Sequence, residues 1–190
     1  MAKLDFKKAF KYPFNRPKGL LNILWILLPI IGWFAIGGYS IRIVQEFCKG
    51  KFKKLPIFKF KSDLKLGFFM FLKALPFVIV YAIFISVVGL VVEVLGLNEG
   101  VLSLVDLLLQ LLIVPMLTIN FFNKQTIESF FEFRIIKSVF NNFGDYLLAL
   151  GQSILLGIIF LIMIIVLVGI PAGAFTKNIF LADFYRRRVK

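Results

Sequence analysis

Four long apolar stretches limit what this sequence can fold into more than any other feature. A transmembrane helix needs about 20 apolar residues, and the runs at 20–44, 74–92, 101–122 and 146–185 reach or approach that length. The chain is 60% hydrophobic and 17% charged over 190 residues, against roughly 45–50% and about 25% in soluble domains. We therefore expect an all-α, polytopic helical membrane bundle in a single membrane domain, with broken or re-entrant helices and short interfacial amphipathic helices.

The sequence lacks the side chains on which most enzymatic and metal chemistry depends. It has no histidine and one cysteine, Cys48, which excludes disulfide frameworks, zinc sites of the usual Cys/His kind and His-dependent acid–base catalysis. Paired carboxylates and an activated nucleophile are not evident either. We expect a protein that is not an enzyme and that uses no cofactor and no metal.

Basic residues are concentrated in three segments that flank the apolar runs. Residues 1–18 contain six lysines and arginines against one acidic residue, residues 42–65 contain eight against two, and residues 177–190 contain five against one. Because basic flanks stay in the cytoplasm, we predict that both termini are cytoplasmic and that the turn at 93–100 lies outside the cell. Such segments attract anionic lipid headgroups, and the predicted contacts are Lys51, Lys53, Lys54, Lys59, Lys61, Arg186, Arg187 and Arg188.

Alternating aromatic and basic residues, as in Phe58-Lys59-Phe60-Lys61, also occur in proteins that bind nucleic acid. Here the alternation lies beside apolar spans, where membrane topology and lipid headgroups already account for the charge. The predicted partners are therefore membrane lipid and a candidate membrane protein, with no nucleic acid.

The remaining pattern divides the chain into shorter segments. Apolar spacing predicts an interfacial helix over 2–12 and a surface helix that leads into a span over 62–92. Over 127–140, by contrast, the apolar residues follow no clean helical stripe. The other predicted segments are a basic cytoplasmic loop at 45–65, a span at 101–122, a cytoplasmic polar interval at 123–145 and a basic tail at 186–190.

The first apolar run, 20–44, allows more than one interpretation. One continuous span would place the first two basic segments on opposite sides of the membrane, whereas two complete spans would need about 40 residues. A segment broken or re-entrant near Pro29–Gly32 keeps both basic segments on one side, and we favour it. A cleaved signal peptide is a third interpretation, but no convincing Ala-x-Ala site follows the run.

The last apolar run, 146–185, is interrupted at Gly169-Ile170-Pro171. Its 40 residues correspond to roughly 60 Å of helix, enough for two crossings of a hydrocarbon core about 30 Å thick. Two crossings also return the basic tail to the cytoplasm. We therefore predict a two-pass hairpin with helices at about 146–167 and 171–185.

Polar residues inside the predicted spans are the candidate functional residues, because ionisable groups are costly in a bilayer. Asp106 and Gln110 are four residues apart and share one helix face, and Lys177 lies near the middle of the last pass. One hypothesis is that Asp106 and Lys177 pair and line a polar path. The alternatives are structural hydrogen bonding, or a Lys177 side chain that extends to an interface.

Several short motifs lie along nearly the whole chain: Ala9-Phe10-Lys11-Tyr12-Pro13-Phe14, Gly38-Tyr39 with Arg42, Gly50 with Leu55-Pro56, Gly144-Asp145-Tyr146, and Ala182-Asp183-Phe184-Tyr185-Arg186. They resemble landmarks of a prokaryotic membrane family, the domain of unknown function 4013. The resemblance implies an integral membrane protein of bacteria or archaea and supplies no reaction and no catalytic residue. In such proteins the segment after Leu55-Pro56 is usually acidic with a Trp. Here it reads Ile57-Phe58-Lys59-Phe60-Lys61, so a partner contact made there is expected to differ.

Two functions from different classes fit these features. The first is a small membrane scaffold or accessory subunit whose basic cytoplasmic surface contacts anionic lipid or a partner. The second is a transporter or channel element with a polar path around Asp106, Gln110 and Lys177. A connected polar cavity that touches those three residues would favour the second function. The sequence leaves the oligomeric state open.

Overall fold

A computed structural model describes residues 3–98 and 100–189 of the chain. Three predicted segments extend to residues outside this range: the 2–12 helix at Ala2, the outer turn at Glu99 and the basic tail at Lys190. The described residues form helices and connecting turns with no strand among them. The expected all-α class is therefore confirmed.

The described residues form ten α-helices and four 3₁₀ segments. Short 3₁₀ segments lie at Pro13–Asn15, Leu21–Leu27, Ile127–Phe131 and Met163–Val166. The α-helices in chain order are α1 (Phe6–Lys11), α2 (Pro17–Leu20), α3 (Ile31–Cys48), α4 (Phe60–Val94), α5 (Gly100–Leu112), α6 (Val114–Lys124), α7 (Phe133–Asn141), α8 (Phe143–Ile162), α9 (Gly169–Thr176) and α10 (Ile179–Arg188).

Three helical stretches are long and apolar enough to cross a membrane: Phe60–Val94, Gly100–Lys124 and Phe143–Val166. The first is the single helix α4, which joins the predicted surface helix and span without interruption. The second consists of α5 and α6, which are separated at Ile113 just before Pro115, a residue that has no backbone N–H to donate. These stretches bear out a helical membrane bundle.

The first apolar run is broken between Leu27 and Ile31. A 3₁₀ segment ends at Leu27, and α3 begins at Ile31 after Ile30 adopts a positive φ of 62°. The first turn of α3 then packs on the segment that it follows: the Trp33 indole N–H donates to the Ile26 carbonyl at 3.0 Å. The chain therefore turns back at this point instead of continuing as one straight helix.

The N-terminal basic segment lies beside the basic loop that follows α3. The Asn15 side-chain amide donates to the Lys53 carbonyl at 2.6 Å, and a Cβ added to Gly19 would lie 3.1 Å from the Leu55 side chain. Residues 15–19 and 53–55 therefore meet at one end of the molecule. This contact fits the broken segment and not a continuous span between the two.

The chain after Gly169 runs back along α8. Gly173 lies against the Phe160 side chain, the Tyr146 and Phe184 ring centroids are 5.4 Å apart, and Arg188 pairs with Asp145. The returning segment is two helices and not the single one expected over 171–185, because α9 ends at Thr176 and α10 begins at Ile179. Two complete membrane crossings by this hairpin stay a prediction.

Two shorter helices differ from the sequence pattern for local reasons. α1 begins only at Phe6, because the Asp5 carboxylate caps it by accepting the Lys8 N–H at 3.1 Å. The stretch 127–140 shows no single stripe because it combines a 3₁₀ segment with α7, which buries Ile135 and Val139 four residues apart. A 3₁₀ turn and an α-helix place successive side chains at different angles, so one period cannot fit both.

Helices α3 and α4 pack antiparallel with their backbones in direct contact. A Cβ added to Gly38 would lie 1.8 Å from the Asp63 carbonyl oxygen, and one added to Gly67 would lie 1.9 Å from the Phe34 carbonyl oxygen. These distances are far below any van der Waals contact, so only glycine fits at both positions. The two glycines set the separation of the helices.

We predict that Gly38→Ala lowers the free energy of unfolding by about 3 kcal/mol, because the added methyl group forces the two helices apart. The neighbouring Gly37 has no atom within 4 Å of an added Cβ. Gly37→Ala is therefore the matched control and should leave stability unchanged or raise it by about 1 kcal/mol through helix propensity. Denaturant titration in detergent micelles measures both; equal effects of the two substitutions would contradict the close contact.

Candidate functional site

All three basic segments of the sequence meet at one end of the bundle, which we call the basic end. Besides the contact between residues 15–19 and 53–55 described above, the C-terminal helix α10 reaches both other segments. The Leu4 N–H donates to the Asp183 carboxylate at 3.2 Å. Gly50, in the left-handed region with φ of 76°, lies beside the Arg186 side chain, which would be 3.6 Å from an added Cβ.

A buried ion pair connects α3 to α4 within the basic end. The Arg42 guanidinium donates to both carboxylate oxygens of Asp63, at 2.8 and 2.7 Å, and also to the Ile57 carbonyl at 2.7 Å. Asp63 is fully buried and accepts the Lys59 N–H at 2.7 Å as well. Arg42 thus satisfies a buried carboxylate and holds the loop before α4 in place. A bidentate arginine–carboxylate pair is among the stronger polar contacts in proteins.

A second cluster of ion pairs uses the arginines of the tail. Asp183 is buried and accepts from Arg186 at 2.6 Å and from Arg187 at 2.9 Å. Arg188 pairs with Asp145 at the start of α8. The three arginines were predicted to contact lipid headgroups, and that contact stays a prediction. Their charge is used largely inside the protein, because α10 turns Arg186 and Arg187 back onto Asp183 of the preceding turn.

The lysines of the loop have a different environment. Lys53, Lys54, Lys59 and Lys61 are exposed, and none of their ammonium groups has a carboxylate within 4.0 Å among the residues that the structure describes. Lys51 has only a distant contact with Glu46, at 3.8 Å. Of the eight predicted headgroup contacts, these five lysines and Arg188 are exposed at the surface.

The end of α6 is attached to the basic end by hydrogen bonds that the sequence did not predict. Asn120 is fully buried; its side chain accepts the Tyr185 hydroxyl at 2.6 Å and donates to the Ser129 carbonyl at 2.7 Å. The Gln45 amide donates to the Phe122 carbonyl at 2.7 Å. An Asn in an otherwise apolar run was the only available signal. Its partners lie up to 65 residues away in sequence, and no local pattern indicates them.

An exposed pair lies just beyond α6. The Lys124 ammonium donates to the Glu132 carboxylate at 2.6 Å, and this contact holds the pKa of the Glu132 carboxyl below its usual range. Half-exposed pairs of this kind contribute little to stability. The pair joins the end of α6 to the residue before α7.

Asp106 and Gln110 lie together on α5, as their spacing predicted. The Gln110 amide donates to Asp106 Oδ2 at 2.7 Å, and the Tyr81 hydroxyl of α4 donates to Oδ1 at 2.6 Å. Tyr81 is a member of this cluster that sequence reasoning missed. The three side chains form a hydrogen-bonded group between two antiparallel spans, which supports the structural alternative for Asp106.

Lys177 does not join this group. Within residues 3–98 and 100–189, Asp106 and Lys177 form no ion pair, so the hypothesis that they pair is not supported. Lys177 lies at the junction of α9 and α10, where it faces residues of α3, α4 and α6. It lines a cleft whose volume is about 780 Å³.

The cleft is formed by α3, α4, α6 and α9, and its wall is almost entirely apolar. Aromatic side chains dominate it, and Ser40, Lys177 and Asn178 supply its polar side chains. Neither Asp106 nor Gln110 lines it. No group of three or more Cys, Asp or Glu side chains in the described part of the chain is placed to hold a metal ion.

A family model described as "Protein of unknown function (DUF4013)" matches residues 21–169. The chain belongs to this family. The match covers α3–α8, whereas the motifs at 9–14 and 182–186 lie outside it. Neither the comparison with curated proteins nor the one with solved structures finds a match.

The motifs that resemble this family are positioned at packing contacts of the basic end. Gly38 allows α3 to touch α4, the Tyr39 hydroxyl donates to the Pro56 carbonyl at 3.0 Å, and Arg42 pairs with Asp63. Tyr146 is fully buried between α8 and α10, where its ring packs on Phe184. In this DUF4013 protein the motif residues therefore hold the basic end together.

We predict that Arg42→Met lowers the free energy of unfolding by about 3 kcal/mol, because it leaves the buried Asp63 carboxylate without its counter-ion. The matched control is Lys51→Met, which removes a lysine that is 63% exposed and paired at 3.8 Å; a change within about 0.5 kcal/mol is expected. Denaturant titration in detergent micelles compares the two. An Arg42→Met protein as stable as Lys51→Met would show that the pair is not structural.

Proposed function

We propose that this protein is a small membrane scaffold or accessory subunit, with its basic end at the cytoplasmic face of the cell membrane and in contact with anionic lipid headgroups. The observation that carries the proposal is the convergence of three basic segments at one end of the bundle. Positive residues beside spans stay in the cytoplasm, and a cluster of them is attracted to the negative surface of that leaflet. The proposal includes no catalytic activity.

The cationic side chains available for such contact are numerous and unpaired. The exposed lysines whose ammonium groups have no carboxylate within 4.0 Å among the described residues include Lys7, Lys8, Lys11, Lys18, Lys53, Lys54, Lys59 and Lys61. Each lysine near an anionic surface contributes about 1 kcal/mol of attraction. The cluster is therefore sufficient to bias the lipid composition around the protein.

The spans support an accessory role because they bury little of themselves. In the most apolar 18-residue stretch of each candidate span, the buried share is 6% for Phe60–Val94, 11% for Gly100–Lys124 and 17% for Phe143–Val166. The segment at 21–33 also exposes large apolar side chains, among them Leu27 at 75% and Trp33 at 58%. Surfaces of this kind are covered by lipid or by another membrane protein.

The transporter or channel alternative has less support. It needs a connected polar path, but Asp106 and Gln110 bond to Tyr81 and lie apart from the cleft that Lys177 lines. The cleft itself is apolar. A membrane pathway for polar solutes would require polar groups along its length.

Orientation is tested by cysteine labelling, since the natural Cys48 is buried and serves as a silent background. In intact cells, a membrane-impermeant maleimide is expected to label Asn98→Cys, in the exposed turn after α4. Lys54→Cys is expected to react only after the cells are permeabilised. Labelling of Lys54→Cys in intact cells would overturn the orientation.

Headgroup contact is tested with brominated lipids, which quench tryptophan fluorescence on contact. The chain has two tryptophans, Trp25 and Trp33. The ring centroids of Trp25 and Phe60 are 4.6 Å apart, and Phe60 lies between Lys59 and Lys61 in the sequence. In vesicles, we expect brominated phosphatidylglycerol to quench several-fold more effectively than brominated phosphatidylcholine, with the difference reduced at high salt.

Trp33 lines the cleft near Lys177, so the comparison uses a Trp33→Phe background in which Trp25 is the remaining tryptophan. In this background, replacing Lys53, Lys54, Lys59 and Lys61 by Gln should remove the preference for phosphatidylglycerol. The ratio of quenching by the two lipids cancels any local change in the tryptophan environment. Lys137→Gln, an exposed lysine on α7, is the control and should keep the preference. Equal quenching by both lipids in the unmodified protein would contradict the proposed contact.

A further inference from the structure

The apolar cleft between α3, α4, α6 and α9 has the dimensions of a ligand site. Its volume is about 780 Å³, within the range of roughly 300–1,000 Å³ that is typical of pockets for small ligands. Phe34, Phe71, Phe121 and Phe175 form much of its wall. A wall of this composition accommodates hydrocarbon and not a polar solute.

One charged group interrupts this wall. Lys177 is exposed within the cleft and has no carboxylate within 4.0 Å in the part of the chain that the structure describes. The adjacent Asn178 begins α10 without donating or accepting a side-chain cap. A cation beside an apolar surface is costly unless an anion pairs with it, so the site favours an anionic group at Lys177.

The cleft lies where the apolar spans meet their polar ends. Ala74 and Phe122 both line it, and in sequence they adjoin Lys73 and the Asn123-Lys124 end of α6. The Lys73 ammonium donates to the Gln125 carbonyl at 2.8 Å, which marks the polar boundary on this side. An occupant with its charge at Lys177 and its hydrocarbon in the cleft therefore matches the surroundings at both ends.

We propose that the cleft binds one anionic phospholipid from the bilayer, with an acyl chain along the apolar wall that α3, α4, α6 and α9 form and its phosphate at the Lys177 ammonium. The Asn178 amide supplies a second donor to the phosphate. Charge complementarity selects this occupant over a neutral lipid or a second copy of the chain, because the cleft pairs a single unpartnered cation with a hydrocarbon wall. The site is separate from the loop lysines and does not depend on the proposed function.

The test uses the full-length protein purified in a mild nonionic detergent, with native mass spectrometry to count bound lipid. Phosphatidylglycerol and phosphatidylcholine with identical acyl chains are the probes. We expect one phosphatidylglycerol to be retained preferentially. Lys177→Met should weaken its binding about tenfold or more, as expected for loss of a charge-assisted contact, and Lys177→Arg should preserve it.

A second variant tests the cleft independently of the charge. Gly37 lines the cleft, and an added Cβ would meet no atom within 4 Å, so Gly37→Leu should place its side chain into the space for the acyl chain and abolish retention without disturbing the fold. Gly157→Leu, at an equally open position on α8, is the matched control and should retain the lipid. Thermal unfolding of the delipidated proteins verifies that each variant is folded.

The outcomes separate this site from the surface lysines. The variant with Gln at Lys53, Lys54, Lys59 and Lys61 should keep the single bound lipid even if it loses headgroup preference in vesicles. Equal retention of the two lipids, or unchanged binding in folded Lys177→Met and Gly37→Leu, would overturn the proposal. A dimer that excludes lipid from the cleft would also overturn it.

Discussion

The close contact between α3 and α4 is the constraint on which the basic end depends. At Gly38 and Gly67 each helix touches the backbone of the other, and this separation brings Arg42 within bidentate reach of Asp63. The buried pair then holds the Ile57 carbonyl and the Lys59 N–H, which fixes the loop carrying the exposed lysines. A wider separation of the helices would leave a carboxylate unpaired in the interior, at a cost of several kcal/mol.

The positive charge of the chain is divided between two physical roles. Arg42, Arg186 and Arg187 neutralise two buried carboxylates, Asp63 and Asp183, whereas the lysines of the loop remain at the surface. This division follows from side-chain chemistry: a guanidinium is planar, weakly hydrated and able to form paired hydrogen bonds, while an ammonium is strongly hydrated. The arginines therefore assemble the basic end, and the lysines present its charge outward. The spans contribute little to this assembly, because most of their surface is left for lipid or a partner.

The spacing of polar residues in the sequence predicted a contact within one helix, but it did not predict the contacts between helices. Asp106 and Gln110 are four residues apart, so a single helix brings them together whatever the rest of the chain does. The addition of Tyr81 and the separation of Lys177 from this pair depend on how α4, α5 and the α8–α10 hairpin are placed relative to one another. That placement is decided by packing between distant segments, as with Asn120 and Tyr185, and sequence spacing carries no information about it.

The sequence by itself determined the helical membrane class, the break in the first apolar run, the interruption at Gly169-Ile170-Pro171 and the clustering of charge. Each of these follows from hydrophobic length, from helix-breaking residues or from counting basic side chains, all of which are local properties. Only the tertiary structure decided which cations are used internally, that the last pass is divided at Lys177–Asn178, and that an apolar cleft forms beside Lys177. These features arise where four helices approach one another, and their energies depend on distances between residues that the linear order leaves far apart.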